Sequence, residues 1–334
     1  MRDETRIAVL GAGSWGTVLA SLTCANGCNV TLWDRDELQA AAIAADRENR
    51  RYLPGHILPQ KLAVTCDLEQ ALKSADVIIF AVPSGAVSEV SNAAAAFMKP
   101  SHRVLSASKG LDCATGKRVT EIIRENCPQG TAVAALSGPN LAVEIAAGVP
   151  TASVVACACH ESAELCRDSV AGPTFRIYTN SDIIGVELGG ALKNVLAIGA
   201  GICEGMGFGD NTKAALLTRG LAEITRLGEA LGAKRETFAG LSGVGDLMAT
   251  SFSHLSRNLR VGLALGQGAS LQETLERIGQ VAEGVPTTKA AVALADSTGV
   301  EMPIAREIHA VLFENRPAKD GLRNLMARQW KDEV

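Results

Sequence analysis

Short apolar runs separated by polar, glycine-bearing connections dominate the first half of the chain. Arg6 to Leu10 and Asn29 to Trp33 have strand character, and Thr17 to Asn26 between them has helical character, closed by Gly27. Leu62 to Cys66, Asp76 to Pro83, Arg103 to Ser108, Ala132 to Leu136, Thr151 to Ala156 and Thr174 to Tyr178 continue the strand series, with helical sequence from Ser84 to Met98. Val77-Ile78-Ile79-Phe80-Ala81-Val82 is apolar throughout, as in a strand buried on both faces of a parallel sheet. Strands alternating with helices predict a doubly wound α/β sheet with ligands at the carboxyl ends of its strands. From Asp182 onward the strand-like runs stop. Asp182 to Gly201, Asn211 to Leu231, Ser256 to Leu265, Leu271 to Arg277, Thr287 to Ser297 and Ile304 to Glu314 read as helices. The expected organisation is a dinucleotide-binding sheet domain over residues 1–181 and an all-helical domain over residues 182–334.

Composition narrows the class. Of 334 residues, 47% are hydrophobic and 20% charged, enough for a sizeable core and about two domains. Aromatics are only 4%, so that core is aliphatic, with Ala and Gly packed closely. The 36 acidic residues outnumber the 32 basic ones, and a net charge of −4 argues against a sequence-independent nucleic-acid binder. No membrane span is expected: the longest tempting uncharged run, Ile145 to Cys159, is too short and contains Pro150. The opening Met1 to Arg6 leads straight into a strand without a leader pattern, so a cytoplasmic location is expected. Nine cysteines without a Cys-x-x-Cys pair read as reduced, packed thiols, and five scattered His show no metal-ligand spacing, so no metal is expected.

Candidate chemistry gathers at a few segments. Gly11-Ala12-Gly13-Ser14-Trp15-Gly16 follows a strand, opens a helix and precedes Asp34-Arg35 at the end of the next strand. Glycines there let backbone N–H groups reach a pyrophosphate, a context that favours a dinucleotide over a bare βα turn. Val82-Pro83-Ser84, Ser108-Lys109-Gly110 and Ser137-Gly138-Pro139 also fall at strand ends. Lys193 interrupts a very apolar helix beside Asn194, and an ammonium there is costly unless paired. Gly189-Gly190 just upstream would let another backbone approach. A snorkelling or structural Lys is the plainer alternative. Ser256 is a plausible N-cap, which puts Arg257 and Asn258 in a first helical turn, unfavourable against the dipole unless an anion sits there. A solvated surface Arg is its alternative. Asp246 on a Gly-rich turn would otherwise be a helix cap. Asn140 with Glu144, and Glu283 before Lys289, mark two further helix starts.

Together these segments resemble the bacterial-type NAD(P)-dependent glycerol-3-phosphate dehydrogenases. The resemblance rests on Gly11 to Gly16, Lys109-Gly110, Ser137-Gly138-Pro139, Glu187 to Asn194, Gly205 to Asn211, Gly245-Asp246-Leu247, Ser256-Arg257-Asn258 and Glu283-Gly284-Val285, in that order. It implies a Rossmann-like domain joined to a helical substrate domain, commonly as a homodimer, with a small-molecule substrate. It further implies reversible reduction of dihydroxyacetone phosphate to sn-glycerol 3-phosphate, the precursor of glycerophospholipids. Carried over by position, Lys193 is the general acid/base. Lys109, Asn194, Asp246, Thr250, Gly138, Asn140, Ser256, Arg257 and Asn258 form the catalytic and substrate site. Gly11, Gly13, Ser14, Trp15, Gly16, Arg35, Lys109, Ala142, Arg257, Val281 and Glu283 contact the cofactor.

The bare chemistry agrees, since hydride transfer to a carbonyl needs an acid for its oxygen and no His stands in a matching motif. A second ammonium, Lys109, would ease release of that proton, Asp246 would orient the acid, and Arg257 would hold the phosphate. Two positions depart from the family: Asn140 stands where Ser or Thr is usual, and Leu141 where Phe is common. Asp34 would favour an NAD ribose, whereas Arg35 could pair an NADP phosphate, and the reading leans to NADP(H) over NAD(H). The alternatives are another two-domain β-hydroxyacid or ketone reductase, which need not carry Ser256-Arg257-Asn258, and a silent NADPH sensor, which would have no use for Lys193.

Overall fold

The computed structural model describes residues 5–329 and residue 332; the reading of Met1 to Glu4 lies outside the described residues. The chain divides into two units, Met1–Lys109 with Lys117–Glu187, and Gly110–Gly116 with Leu188–Val334. The first is built on one eight-stranded sheet: β1 (Arg6–Leu10), β2 (Asn29–Trp33), β3 (Ala63–Thr65), β4 (Val77–Phe80), β5 (Arg103–Ser106), β6 (Ala132–Ser137), β7 (Thr151–Ala156) and β8 (Phe175–Asn180). Their order is β3-β2-β1-β4-β5-β6-β7-β8, and every neighbouring pair is parallel except β6 with β7. The doubly wound sheet read from the sequence is borne out, and the single antiparallel step is what periodicity did not reveal.

The apolar strands have a direct cause. Ile7, Val9, Val30, Leu32, Val77 and Ile79 belong to one core cluster, whereas Ala8, Leu10, Trp33, Ile78 and Phe80 belong to another. Successive side chains point to opposite faces, and both faces are covered, so the buried positions of these strands cannot be polar at low cost. The register sets Leu10 opposite both Trp33 and Phe80, so the carboxyl ends of β1, β2 and β4 lie level. Winding reverses between β1 and β4, which makes the turn after Leu10 the switch point of the sheet.

Several helices differ from the sequence reading. The helix after the Gly-rich turn begins at Ser14, not Thr17, because Gly13 is the last extended residue. Ser84 to Met98 is divided into a 3₁₀ turn, Ser84–Ala86, and a helix, Val87–Ala95. The helices Glu37–Asp46, His160–Val170 and Ala318–Met326 were not anticipated.

The second unit is helical and contains no β-strand among its described residues. The helix Ile183–Gly205 is the one described helix long and apolar enough to cross a membrane, and 83% of its most apolar window is buried in the protein. Its apolarity therefore serves the protein's own core. It packs almost backbone to backbone on the helix Arg257–Gly266: a Cβ on Gly262 would fall 1.9 Å from the Ile198 carbonyl oxygen, and one on Gly201 2.1 Å from that of Leu259. On the helix Asp210–Ala230, the buried Glu223 carboxylate accepts from the Ile304 and Ala305 N–H groups and so caps the helix Pro303–Phe313. Burial pushes the Glu223 carboxyl up to about 7, against the pull of those two N–H donors and of Arg226 and Arg328.

Two stability predictions follow from these contacts. Gly262→Ala drives a methyl into the Ile198 backbone and is expected to cost about 3 kcal/mol, read as a lower denaturant midpoint with unchanged m-value. Because the folded-state pKa of Glu223 exceeds its ordinary value, its contribution is full at low pH and is lost as pH rises through 7. Unfolding titrations at pH 4.5 and 7.5 should show Glu223→Gln lacking a decline of about 3 kcal/mol that the native chain carries.

Candidate active site

In the sheet unit, the turn between β1 and the helix Ser14–Ala25 shows which glycines the fold itself requires. Gly11 has φ +110°, and a Cβ there would lie 2.8 Å from the Ala81 carbonyl oxygen. A Cβ on Gly16 would lie 1.9 Å from the Gly11 oxygen. Gly13 differs: its φ of −72° suits any residue, and a Cβ would meet no protein atom within 4 Å. Packing and backbone conformation thus account for Gly11 and Gly16 but not for Gly13.

The turn is held by a residue the sequence reading missed. Asn49, fully buried, donates to the Ala12 carbonyl at 2.7 Å and to Thr17 Oγ1 at 2.8 Å, while its Oδ1 accepts from Gln39 and from the Tyr52 N–H. Ser14 Oγ donates to the Tyr52 carbonyl at 2.6 Å, so the Glu48 to Leu53 loop grips the turn at three residues. Trp15 stands edge-on to Phe175, and its indole Nε1 is buried with no hydrogen-bond partner. At the end of β2, Asp34 Oδ1 accepts from the Asp36 N–H, and the exposed Arg35 lies 3.5 Å from the exposed Glu89.

The ends of β5 and β6 meet. Lys109 Nζ donates to the Gly138 carbonyl at 2.7 Å. Gly138 has φ +139°, and a Cβ there would lie 2.6 Å from Ser153 Oγ. Ser153 in turn donates to Asn140 Oδ1, which leaves the buried Asn140 Nδ2 without a partner. An Asn where the family usually has a hydroxyl therefore makes a structural bond with its oxygen and keeps a free donor. Ala142 opens the short helix Ala142–Ala146. Nearby in the same unit, the Glu187 carboxylate accepts from Arg118, from the Thr120 N–H and from Thr120 Oγ1. Burial raises the Glu187 carboxyl, and Arg118 is the strongest influence opposing it.

In the helical unit, Lys193 is buried, and its Nζ donates to Asp246 Oδ1 at 2.9 Å and to Thr250 Oγ1. Thr250 Oγ1 also reaches the same Asp246 oxygen at 3.2 Å, closing a triangle of buried polar groups. Asp246 and Thr250 are one helical turn apart on the helix Asp246–Phe252, which explains how both face one ammonium. The Gly189 backbone makes room for this: a Cβ there would lie 2.9 Å from the Ser242 carbonyl oxygen. The approach anticipated from Gly189-Gly190 is that of the turn leading to Asp246.

Ser256 caps the helix Arg257–Gly266 through the Leu259 N–H, as its position implied. Arg257 is exposed in the first turn, with Glu283 and Arg260 the charges acting on it. Asn258 is buried and bonded to Asn194 and to the Gly284 N–H. Val281 is exposed, and Glu283 immediately precedes the helix Gly284–Thr298. Each unit thus assembles its own predicted residues, with Lys109, Gly138 and Asn140 in one and Lys193, Asn194, Asp246, Thr250, Arg257 and Asn258 in the other.

Comparison with known proteins places this geometry in context. The family model for the NAD-dependent glycerol-3-phosphate dehydrogenase N-terminus matches residues 6–163, and that for its C-terminus matches residues 182–323. The NAD(P)+ glycerol-3-phosphate dehydrogenase of Moorella thermoacetica is 49% identical over 98% of this chain and 97% of its own length. The Thermoanaerobacter enzyme of the same name is 46% identical over 98% of this chain and 99% of its own. The crystal structure of glycerol-3-phosphate dehydrogenase from Coxiella burnetii superimposes with a TM-score of 0.94 at 38% identity, covering 98% of this chain and 100% of that one.

The buried triangle gives a stability prediction. Asp246→Ala strips the carboxylate from a buried ammonium and is expected to cost about 3 kcal/mol, measured by chemical denaturation at neutral pH. Asp246→Asn, which keeps an acceptor at the same place, should cost less.

Proposed function

The chain belongs to the NAD-dependent glycerol-3-phosphate dehydrogenase family, and we propose that it reduces dihydroxyacetone phosphate reversibly to sn-glycerol 3-phosphate with NAD(P)H. The observation that carries this reading is the buried Lys193 ammonium, held on Asp246 and Thr250 one residue before Asn194. A positively charged donor fixed in a dry setting is what a developing alkoxide requires.

The residues present fit the cofactor. Gly13, which nothing in the protein requires to be glycine, stands where a pyrophosphate would approach the N-terminus of the helix Ser14–Ala25. The orphaned Trp15 Nε1 is a buried donor awaiting an acceptor. Gly11, Gly13, Ser14, Trp15, Gly16, Arg35, Lys109, Ala142, Arg257, Val281 and Glu283 are the residues that would hold the cofactor. Such a cofactor would supply the hydride that the carbonyl carbon needs. The Arg35–Glu89 pair is exposed on both sides and worth little, so Arg35 can exchange it for a 2′-phosphate. Asp34 accepts from the Asp36 N–H through Oδ1 alone, and the lean to NADP(H) rests on Arg35.

Lys193 gives its proton to the substrate oxygen as the hydride arrives at carbon, and takes it back in the reverse direction. Asp246 and Thr250 fix the direction of that N–H and stabilise the ammonium between turnovers. Arg257 and the helix start behind Ser256 hold the phosphate, so binding energy remote from the reacting carbon fixes its position. Lys109, Asn140, Asn194 and Asn258 line the substrate, with Gly138 and Ser256 shaping the backbone around it. The reading includes residues 1–181 as the cofactor domain and 182–334 as the substrate domain, a homodimer, and a cytoplasmic location that the nine free thiols support.

The test follows NADPH and NADH oxidation with dihydroxyacetone phosphate against unphosphorylated dihydroxyacetone. The phosphorylated substrate should be preferred by at least about 10³ in kcat/KM, and equal rates would refute the phosphate site. Lys193→Ala should lose about 10³ in kcat while still binding NADPH, whereas Arg257→Ala should chiefly raise the substrate KM.

A further inference from the structure

A chain of three buried groups in the helical unit runs beyond what the reaction itself demands. Asn258 Oδ1 accepts from the Gly284 backbone N–H at 2.9 Å, and Asn258 Nδ2 donates to Asn194 Oδ1 at 2.8 Å. All three residues are buried. A backbone N–H can only donate, so it dictates which side of the Asn258 amide faces it. That choice places the Asn258 NH₂ on Asn194 and dictates the orientation of the Asn194 amide in turn. Orientation therefore passes from the Gly284 backbone through two side chains to the residue next to Lys193.

Each link adjoins a different working part: Gly284 follows Glu283, Asn258 follows Arg257, and Asn194 follows Lys193. The contact is close enough to restrict residue type, since a Cβ on Gly284 would lie 2.6 Å from the Asn194 carbonyl oxygen and 2.9 Å from Asn258 Oδ1. Gly284 is also the first residue of the helix Gly284–Thr298, whose initial N–H groups have no partner within the helix. Asn258 supplies that partner from 26 residues away.

We infer that Asn258 is a positioning residue that couples the Glu283–Gly284 segment to the Arg257 helix start and to Lys193, so that occupancy of the cofactor site and of the phosphate site strengthen one another. The inference rests on the functional reading above, which assigns Glu283 to the cofactor and Arg257 to the substrate phosphate. Its physical basis is shared ordering. A ligand that fixes either segment fixes the amide chain, and the second ligand then meets a segment already in place. One hydrogen of the Asn258 amide remains for substrate, so lining the site and positioning it are compatible roles.

The test begins with the unaltered protein. NADPH affinity, read by nicotinamide fluorescence, should rise about fivefold at saturating sn-glycerol 3-phosphate. Asn258→Ala should weaken NADPH binding several-fold with no substrate present, although Asn258 is not a cofactor contact. Gly284→Ala, which opens the same link without altering Asn258, should raise the KM for dihydroxyacetone phosphate by a similar factor. The double variant should be no worse than the more affected single one, as expected for two changes to one link. Asn258→Ala moving only substrate constants, Gly284→Ala only cofactor constants, and additive effects in the double variant would overturn the coupling. Native protein that binds both ligands independently overturns it while leaving the functional reading intact; native protein that binds neither overturns both.

Discussion

An ammonium buried in an apolar helix is the constraint on which the helical unit depends. Leaving Lys193 without partners would take a large share of a single domain's usual margin of stability, so the chain brings Asp246 to it from 53 residues away. That approach works only because the segments are stripped of side chains where they pass: Gly189 faces the Ser242 carbonyl, and a Cβ on Gly243 would lie 1.9 Å from that of Phe238. The glycines and the ion pair are therefore one device. A larger residue at either glycine would push Asp246 away and leave the ammonium costly, which is a stronger penalty than the steric clash alone.

Other buried carboxylates meet the same problem differently. Glu187 is satisfied by a guanidinium, a hydroxyl and a backbone N–H, a set that locks its geometry from three directions. Glu223 is satisfied by the open end of a helix. Both carboxyls are raised by burial, and both face donors that are permanent parts of the fold. Asp246 instead faces a lysine ammonium, beside a threonine hydroxyl of the kind Glu187 also has. The lysine, rather than burial or the hydroxyl, sets the surroundings of Asp246 apart from those of the other two.

Much of this was legible in the sequence, for identifiable reasons. Strands covered on both faces carry few polar residues, so β4 and the Ile7 to Leu10 part of β1 announce themselves as apolar runs. Lys193 was conspicuous because polar residues are improbable where it stands, and Ser256 because a helix needs a cap. What stayed hidden has no periodicity. Asn49 grips the Gly-rich turn through backbone atoms, and a backbone acceptor leaves no residue signature at its own position. The antiparallel step from β6 to β7 is invisible because alternation is the same in either direction. Gly110–Gly116 groups with the helical unit although its neighbours on both sides belong to the sheet unit, a placement set by Gly116 against Leu294 and Cys113 against Pro286.

A residue's identity becomes informative about ligands only after its structural reasons are subtracted. Gly11 is accounted for by its backbone angle and Gly16 by its contact with Gly11, which leaves Gly13 as the glycine the protein alone does not explain. The same subtraction sorts the asparagines. Asn49 spends its whole amide within the fold, whereas Asn140 spends only its oxygen and keeps a buried NH₂ without a partner. Burying an unpaired donor costs about 1–3 kcal/mol, a cost that an added acceptor would offset. Asn140 occupies a position where a hydroxyl is usual, and a hydroxyl that accepts from Ser153 also keeps its own O–H to donate. By this argument the departure from the family pattern preserves a hydrogen-bond donor at the end of β6, where Lys109 and Gly138 already meet.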